Sequence, residues 1–223
     1  MKPILSHTPV RRPARASLPL LAGVLVLALL PACSILGGKE RTPTTIYTLN
    51  PQVAADPSWP QVDWQLALPA ATASAMVDSM RVVVRPRPNE LQVYKGARWS
   101  DVPPNMVEEA ILHTLERSGR IGAVARQGSG VGGDYRLVLD VRRFESEYAG
   151  AAVPSAVVEV NAKLLHAPDQ QIVAGHTFSH ATPATGTEVE AVVQAFEQSL
   201  ESVTAELAGW ILTNGDTHEA LHR

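Results

Sequence analysis

His176 and His180 stand four residues apart. On a helix that spacing puts two imidazoles on one face, within reach of a single metal ion. Ile172 to Phe178 reads instead as a strand, where four residues at about 3.3 Å each hold the rings about 13 Å apart. The expectation is a pair of ordinary strand histidines and no metal. Gly128-Ser-Gly-Val-Gly-Gly133 matches G-x-G-x-x-G literally. Dinucleotide sites use such glycines because the backbone must approach a pyrophosphate at a helix N-terminus. Here a β-prone run from Tyr135 follows the glycines, so a connector loop is expected and no cofactor. No G-x-S-x-G nucleophile elbow occurs. Glu108, Glu109 and Glu116 read as a solvated helix face. Glu145 and Glu147 beside Arg142 and Arg143 read as a charged strand end. Nothing singles out a catalytic carboxylate pair. His218 and His222 fall in the polar C-terminal stretch and are expected to be exposed.

Arg85, Arg87, Lys95 and Arg98 form the one local basic cluster, with Tyr94 and Trp99 interleaved. Two readings stay open. One is a solvated hairpin. The other is a docking surface of Arg85, Tyr94, Lys95, Arg98 and Trp99 for an acidic or phosphate-bearing partner.

The one cysteine, Cys33, excludes an internal disulfide framework and a Cys-rich zinc site. Its position is informative. Lys2, Arg11, Arg12 and Arg15 precede an uncharged run, Leu18 to Leu30. Thirteen residues fall short of the roughly 20 needed to span a bilayer as a helix. A basic segment, an apolar run and then small residues describe a secretory signal. The run closes on Leu30-Pro31-Ala32-Cys33, which resembles a bacterial lipobox, with Pro31 where a small residue is usual. The expected outcome is cleavage between Ala32 and Cys33 and acylation of Cys33, which anchors the chain to a membrane. Each buried CH₂ contributes about 0.8 kcal/mol, and stable anchoring takes more than one chain. Ser34 follows the cysteine, and the absence of an aspartate there favours the outer membrane over inner-membrane retention. The four cations and no acids of residues 1–32 take the net charge from −3 to −7 on cleavage. So acidic a chain is a poor direct partner for nucleic acid.

Several elements must position these groups. Ser34 to Pro43 reads as a tether and Ile46 to Leu49 as a first strand. Residues 51–79 contain Trp59 and an alternation of Val62, Trp64, Leu66 and Leu68, which fits either a strand or an ordered loop. Arg81 to Arg85 is a strand ended by Pro86 and Pro88, and residues 91–94 and 97–99 suggest a small hairpin about Lys95-Gly96. Pro103-Pro104 suits a helix start, Val107, Ala110, Ile111 and Leu115 form its stripe, and Gly119 ends it. Ile121 to Ala125 is a short strand. Tyr135 to Val141, Ala156 to Leu164 and Ile172 to Phe178 suggest an antiparallel meander. Val189, Val193, Phe196, Leu200, Val203, Leu207 and Ile211 share one helical face. A polar tail expected to fray begins at Asn214. These elements predict an α+β fold: one domain with a mixed, largely antiparallel sheet and two main helices packed on it. The expected plan is a signal peptide over 1–32, the lipidated cysteine and tether over 33–43, a domain over 44–213 and a tail over 214–223.

Ile46-Tyr-Thr-Leu49 follows the cysteine closely, and a Val-rich strand ends in Arg85-Pro86. Ala97-Arg-Trp-Ser100 precedes a helix with Leu112 and Leu115, a Gly/Asp loop leads into Tyr135-Arg-Leu, and Phe178, Pro183 and the long helix close the series. In this order, residues 44–212 resemble the ABC-type transport auxiliary lipoproteins of the paraquat-inducible protein C type. The stretch between Arg85 and Trp99 is shorter than that family's usual loop. The resemblance implies a non-enzymatic role beside an ATPase, a permease and a periplasmic MCE-domain protein that move lipids between two membranes. The chain would sit at the outer-membrane end and dock the MCE assembly, as a homo-oligomer. The resemblance implies no catalytic residue and no cofactor. Two other readings stay beside it: an assembly lipoprotein for lipopolysaccharide or protein insertion, and a periplasmic hydrolase.

Overall fold

The computed structural model describes residues 43–222 except residue 131. Ala32, Cys33 and the expected tether up to residue 42 lie outside the described residues. In chain order the elements are β1 (Thr45–Tyr47), β2 (Gln65–Leu68), β3 (Thr72–Ala73), β4 (Arg81–Arg87), β5 (Glu90–Trp99), α1 (Pro103–Ser118), β6 (Ala123–Arg126), β7 (Tyr135–Glu147), β8 (Ser155–His166), β9 (Ile172–Pro183) and α2 (Val189–His222).

Strand β7 organises the sheet. One edge pairs antiparallel with β8 along its whole length, from Tyr135↔His166 to Glu147↔Ser155, and β8 pairs in turn with β9. This is the expected meander, in strands longer than the alternation alone marked. The other edge of β7 is shared by three short parallel segments in tandem. β2 pairs at Leu66↔Tyr135, β3 at Thr72↔Asp140 and β4 at Val83↔Glu145. Beyond them the sheet forks: β6 adds to β2, while β5 and then β1 extend from β4. The sheet is mixed, as expected, with the longest ladders antiparallel.

The period-2 pattern explains which face is buried. Tyr135, Leu137, Leu139 and Val141 of β7, and Ala156, Val158, Val160, Ala162 and Leu164 of β8, are all buried in the core beneath the helices. Helix α1 starts on Pro103 and Pro104, whose missing N–H groups would have no helical partner there. It ends on Gly119, held at φ +60°, where a side chain would be strained. Its Val107, Ile111 and Leu115 are fully buried. Helix α2 lies across β8 and β9 and touches α1. Phe196, Leu200, Leu207 and Ile211 of its expected stripe are fully buried.

Residues 51–79 realise both readings left open. Gln65–Leu68 is a strand, while Trp59, Val62 and Trp64 are buried in an ordered loop. The loop is pinned where α2 carries glycines. A Cβ on Gly209 would lie 2.7 Å from Trp59 Nε1, and one on Gly215 would lie 2.3 Å from Trp64 Cζ2. The two indoles pack directly on helix backbone, which only glycine permits. This contact also corrects the frayed tail: α2 continues through His222, because Trp64 and Tyr135 give its last turns something to pack on.

Candidate docking surface

The predicted basic cluster lies on the β4–β5 hairpin. The turn falls between Arg87 and Glu90, which pair across it, and not at Lys95-Gly96 as the sequence suggested. The register jumps between Arg81↔Arg98 and Val83↔Val93, so extra residues bulge from β5 opposite Val82. Gly96 sits in that bulge at φ +70°. Its glycine serves a bulge within one strand rather than a turn between two.

The bulge sorts the five candidates. Trp99 is fully buried and makes edge contacts with Phe144 and Phe196, at ring centroids of 5.7 and 5.2 Å. It is a core residue and presents nothing to a partner. Tyr94 is half-buried, and its hydroxyl lies 3.1 Å from Ser146 Oγ. Burial raises its pKa. Lys95 and Arg98 are exposed. Arg98 Nη2 rests 2.7 Å from Met80 Sδ, and Arg98 pairs across the ladder with Ile46, which is 61% exposed. Leu91 and Val93 are also exposed. The solvent side of β1 and β5 therefore carries two cations and three apolar side chains.

Arg85 belongs to a different construction. Its Nε and Nη2 donate to Glu145 Oε1 and Oε2 at 2.8 and 2.9 Å, and its Nη1 donates to the Pro88 carbonyl at 2.9 Å. Arg143 donates to Glu145 Oε1 at 2.7 Å and to Glu147 Oε2 at 2.8 Å. The expected charged strand end is present at the end of β7, but Glu145 in it is buried between two guanidiniums. Val83, Glu145 and Val157 are in register on three adjacent strands and all are buried. Burial pushes the Glu145 pKa up, but hydrogen bonds from Arg85 and Arg143 outweigh it and the net shift is downward. The same bonds raise the Arg85 pKa. Burial lowers that of Arg143, and Glu147 and Glu145 reverse this. A surface hollow of about 400 Å³ lies beside the network, lined by Arg85, Arg87, Pro88, Glu147, Ala149 and Gly150.

Glu108 is a second correction. It is buried rather than solvated and accepts from Arg126 Nε at 2.7 Å, joining α1 to β6. Glu109 and Glu116 are exposed as expected. His176 and His180 lie on β9, and Gly128, Gly130, Gly132 and Gly133 fall between β6 and β7 with no helix among the described residues there.

A cluster at the end of α2 escaped the sequence reading. His218 is half-buried, not free in a tail. The buried Tyr135 hydroxyl lies 2.8 Å from His218 Nδ1 and 3.2 Å from Glu219 Oε1. The His166 ring lies tilted against the His218 ring at a centroid distance of 4.8 Å, and the His222 ring stacks on it at 4.2 Å. Burial, then His222 and His166, push the His218 pKa down. Burial and Glu219 push that of Tyr135 up. The signal that could have found this group is the run His218-Glu219-Ala220-Leu221-His222, which is H-E-x-x-H.

A family model described as ABC-type transport auxiliary lipoprotein component matches residues 47–208, from β1 to deep in α2. The crystal structure of protein XCC0632 from Xanthomonas campestris superposes with a TM-score of 0.77 at 47% identity, covering 79% of this chain and 99% of that one. A second crystal structure superposes with a TM-score of 0.60 at 16% identity, covering 76% of this chain and 99% of that chain, a likeness of fold alone. Protein bll6063 of Bradyrhizobium diazoefficiens is 24% identical over 179 residues, 78% of this chain. The matched stretch is 46% of that relative's length.

Proposed function

The chain belongs to the ABC-type transport auxiliary lipoprotein family, and on that premise we propose that it is the outer-membrane docking component of an intermembrane lipid transporter. Acyl chains on Cys33 hold it on the periplasmic face, and the domain receives a periplasmic MCE-domain protein that works with a permease and an ATPase. The supporting observation is the reach of the family match, which takes in the sheet and both helices. The leader and lipobox supply the anchor. The role is one of binding, without chemistry of its own.

The exposed side of β1 and β5 is the surface that fits this role. Lys95 and Arg98 give it charge, and Ile46, Leu91 and Val93 give it apolar area. Interfaces combine an apolar centre with a polar rim in this way. Rim charges act mainly on association rate and salt dependence. The test is co-purification of the full chain from membranes with its transporter subunits. The double variant Lys95→Glu/Arg98→Glu is expected to lower recovery of the MCE-domain protein while leaving membrane attachment intact. Recovery equal to wild type would remove this surface from the account. Separately, Cys33→Ser is expected to release the chain from the membrane; retained attachment and unchanged mass would remove the anchor.

A further inference from the structure

Two of the sheet's outer strands are short: β1 has three residues, and β6 has four and ends on Arg126. The outer strand β9 is different. It runs twelve residues, Ile172–Pro183, pairs with β8 alone, and contains no Asp, Glu, Lys or Arg. Proteins usually guard so long an edge with charge, proline or a covering element. Gly175, His176, Ser179 and Ala181 are exposed, so α2 leaves this edge open.

The ladder shows which backbone groups face outward. The Ala184 N–H donates to the Pro154 carbonyl at 2.9 Å, one step beyond the Ser155↔Pro183 pair. Bonded and non-bonded pairs alternate in an antiparallel ladder. The register is unbroken from Ser155 to Leu164, so His176, Phe178 and His180 bond to β8. Gly175, Thr177, Ser179 and Ala181 turn their N–H and C=O groups the other way. Among the described residues no other element pairs with them. The edge is bounded at both ends: Val173 sits where the register shifts, and Pro183 has no N–H.

We propose that two copies of this chain join their β9 edges antiparallel about a two-fold axis at Phe178, making one sheet that runs through both. This register sets Gly175 against Ala181 of the second copy and Thr177 against its Ser179, and it satisfies all four outward residues. An axis at Thr177 would set Ala181 against the irregular Val173. An axis at Ser179 would set Gly175 against Pro183, which cannot donate. The facing side chains are small, and a Thr–Ser pair is favourable across strands. The charges nearest the seam also agree. Lys163 and Glu159 lie beside Gly175 and Ser179 on β8, and neither has an ion-pair partner among the described residues. The axis places Lys163 of each copy one row from Glu159 of the other, so unlike charges approach. The same patch serves both copies, so pairing closes at two.

The test reads the register with cysteines in the full chain, purified from membranes in detergent and oxidised. Within one chain, positions 176 and 180 stand about 13 Å apart along the strand, beyond the reach of a disulfide. Across the axis they form a non-hydrogen-bonded pair with Cα atoms about 4.5 Å apart, within it. His176→Cys/His180→Cys is expected to run as a linked dimer on a non-reducing gel. Each single variant, and the wild type with Cys33 alone, is expected to run as a monomer. No link in the double variant would overturn the proposal, and so would equal linking by the single variants. Native mass spectrometry from detergent gives a second readout. Ser179→Lys and Ser179→Glu each place like charges diagonally across the seam and are expected to lower the dimer fraction about threefold. Mixed together, the two variants are expected to recover it as a dimer of intermediate mass. A dimer fraction unchanged by either variant, or no mixed dimer, would overturn the proposal.

Discussion

Replacing Gly215 by alanine should destabilise this protein, although alanine is the better helix former. In an open helix interior the change stabilises by about 1 kcal/mol, because glycine has more backbone freedom to lose. Here the new Cβ would lie 2.3 Å from Trp64 Cζ2, 2.8 Å from Cε2 and 3.0 Å from Cη2. Trp64 cannot easily retreat. It is 6% exposed and sits on the Tyr135 ring at 4.8 Å. Overpacking of this kind costs about 1–3 kcal/mol, and contact with a whole indole belongs at the upper end. Subtracting the propensity gain leaves a net loss of about 2 kcal/mol. For a chain of this size that lowers the melting temperature by roughly 4–8 °C. Thermal unfolding followed by circular dichroism reads this directly. Thr213→Ala, exposed on the same helix, is the control and should not lower the melting temperature. The double variant Gly215→Ala/Trp64→Leu should recover part of the loss, since the two sites share the contact. A melting temperature for Gly215→Ala equal to or above wild type would exclude this steric cost. It would mean that the loop carrying Trp64 does not pin the end of α2.

Three further outcomes follow from the same packing. Glu145 has a lowered folded pKa, so its stabilising contribution is present above its ordinary carboxylate range, about 4.3, and is lost as pH falls through the folded value. Glu145→Gln should flatten acid unfolding in that window, and an unchanged pH profile would deny the pairing with Arg85 and Arg143. Thr204 Oγ1 is buried with no hydrogen-bond partner among the described residues, so Thr204→Val should stabilise by about 1 kcal/mol, and a loss of stability in denaturant titration would show that the hydroxyl is satisfied. Trp99→Ala should cost about 3–5 kcal/mol as a core truncation, whereas Lys95→Ala should cost nothing measurable; comparable stability of the two would contradict the division between core and surface on β5.

The elements with strong periodicity were legible before the structure. The alternation of β7 and β8 and the stripe of α2 each mark one buried face, and burial is what the pattern encodes. The cap residues of α1, Pro103 and Gly119, act through their own backbone geometry. What escaped depends on partners distant in sequence. Glu108 and Glu145 look like surface carboxylates until Arg126, Arg85 and Arg143 are brought to them. Gly96 looks like a turn residue, yet a bulge uses the same positive φ. Asn214 to His222 reads as a polar tail because its support comes from Trp64, Tyr135 and His166 on other elements. Of the docking candidates, Lys95 and Arg98 remain on the surface, while Trp99 and Arg85 are claimed by the core and by an ion-pair network. Only the three-dimensional register could divide them.

The role proposed for this domain is to dock a lipid transporter at the outer membrane. The most direct measurement places a photoreactive amino acid at Lys95 in the full chain, irradiates intact cells, and identifies the cross-linked product by mass spectrometry. The expected product is a covalent adduct with the MCE-domain protein, recovered from the outer-membrane fraction and weakened by Arg98→Glu. Cross-links confined to lipopolysaccharide or protein-insertion factors, or no transporter subunit at any yield, would contradict it.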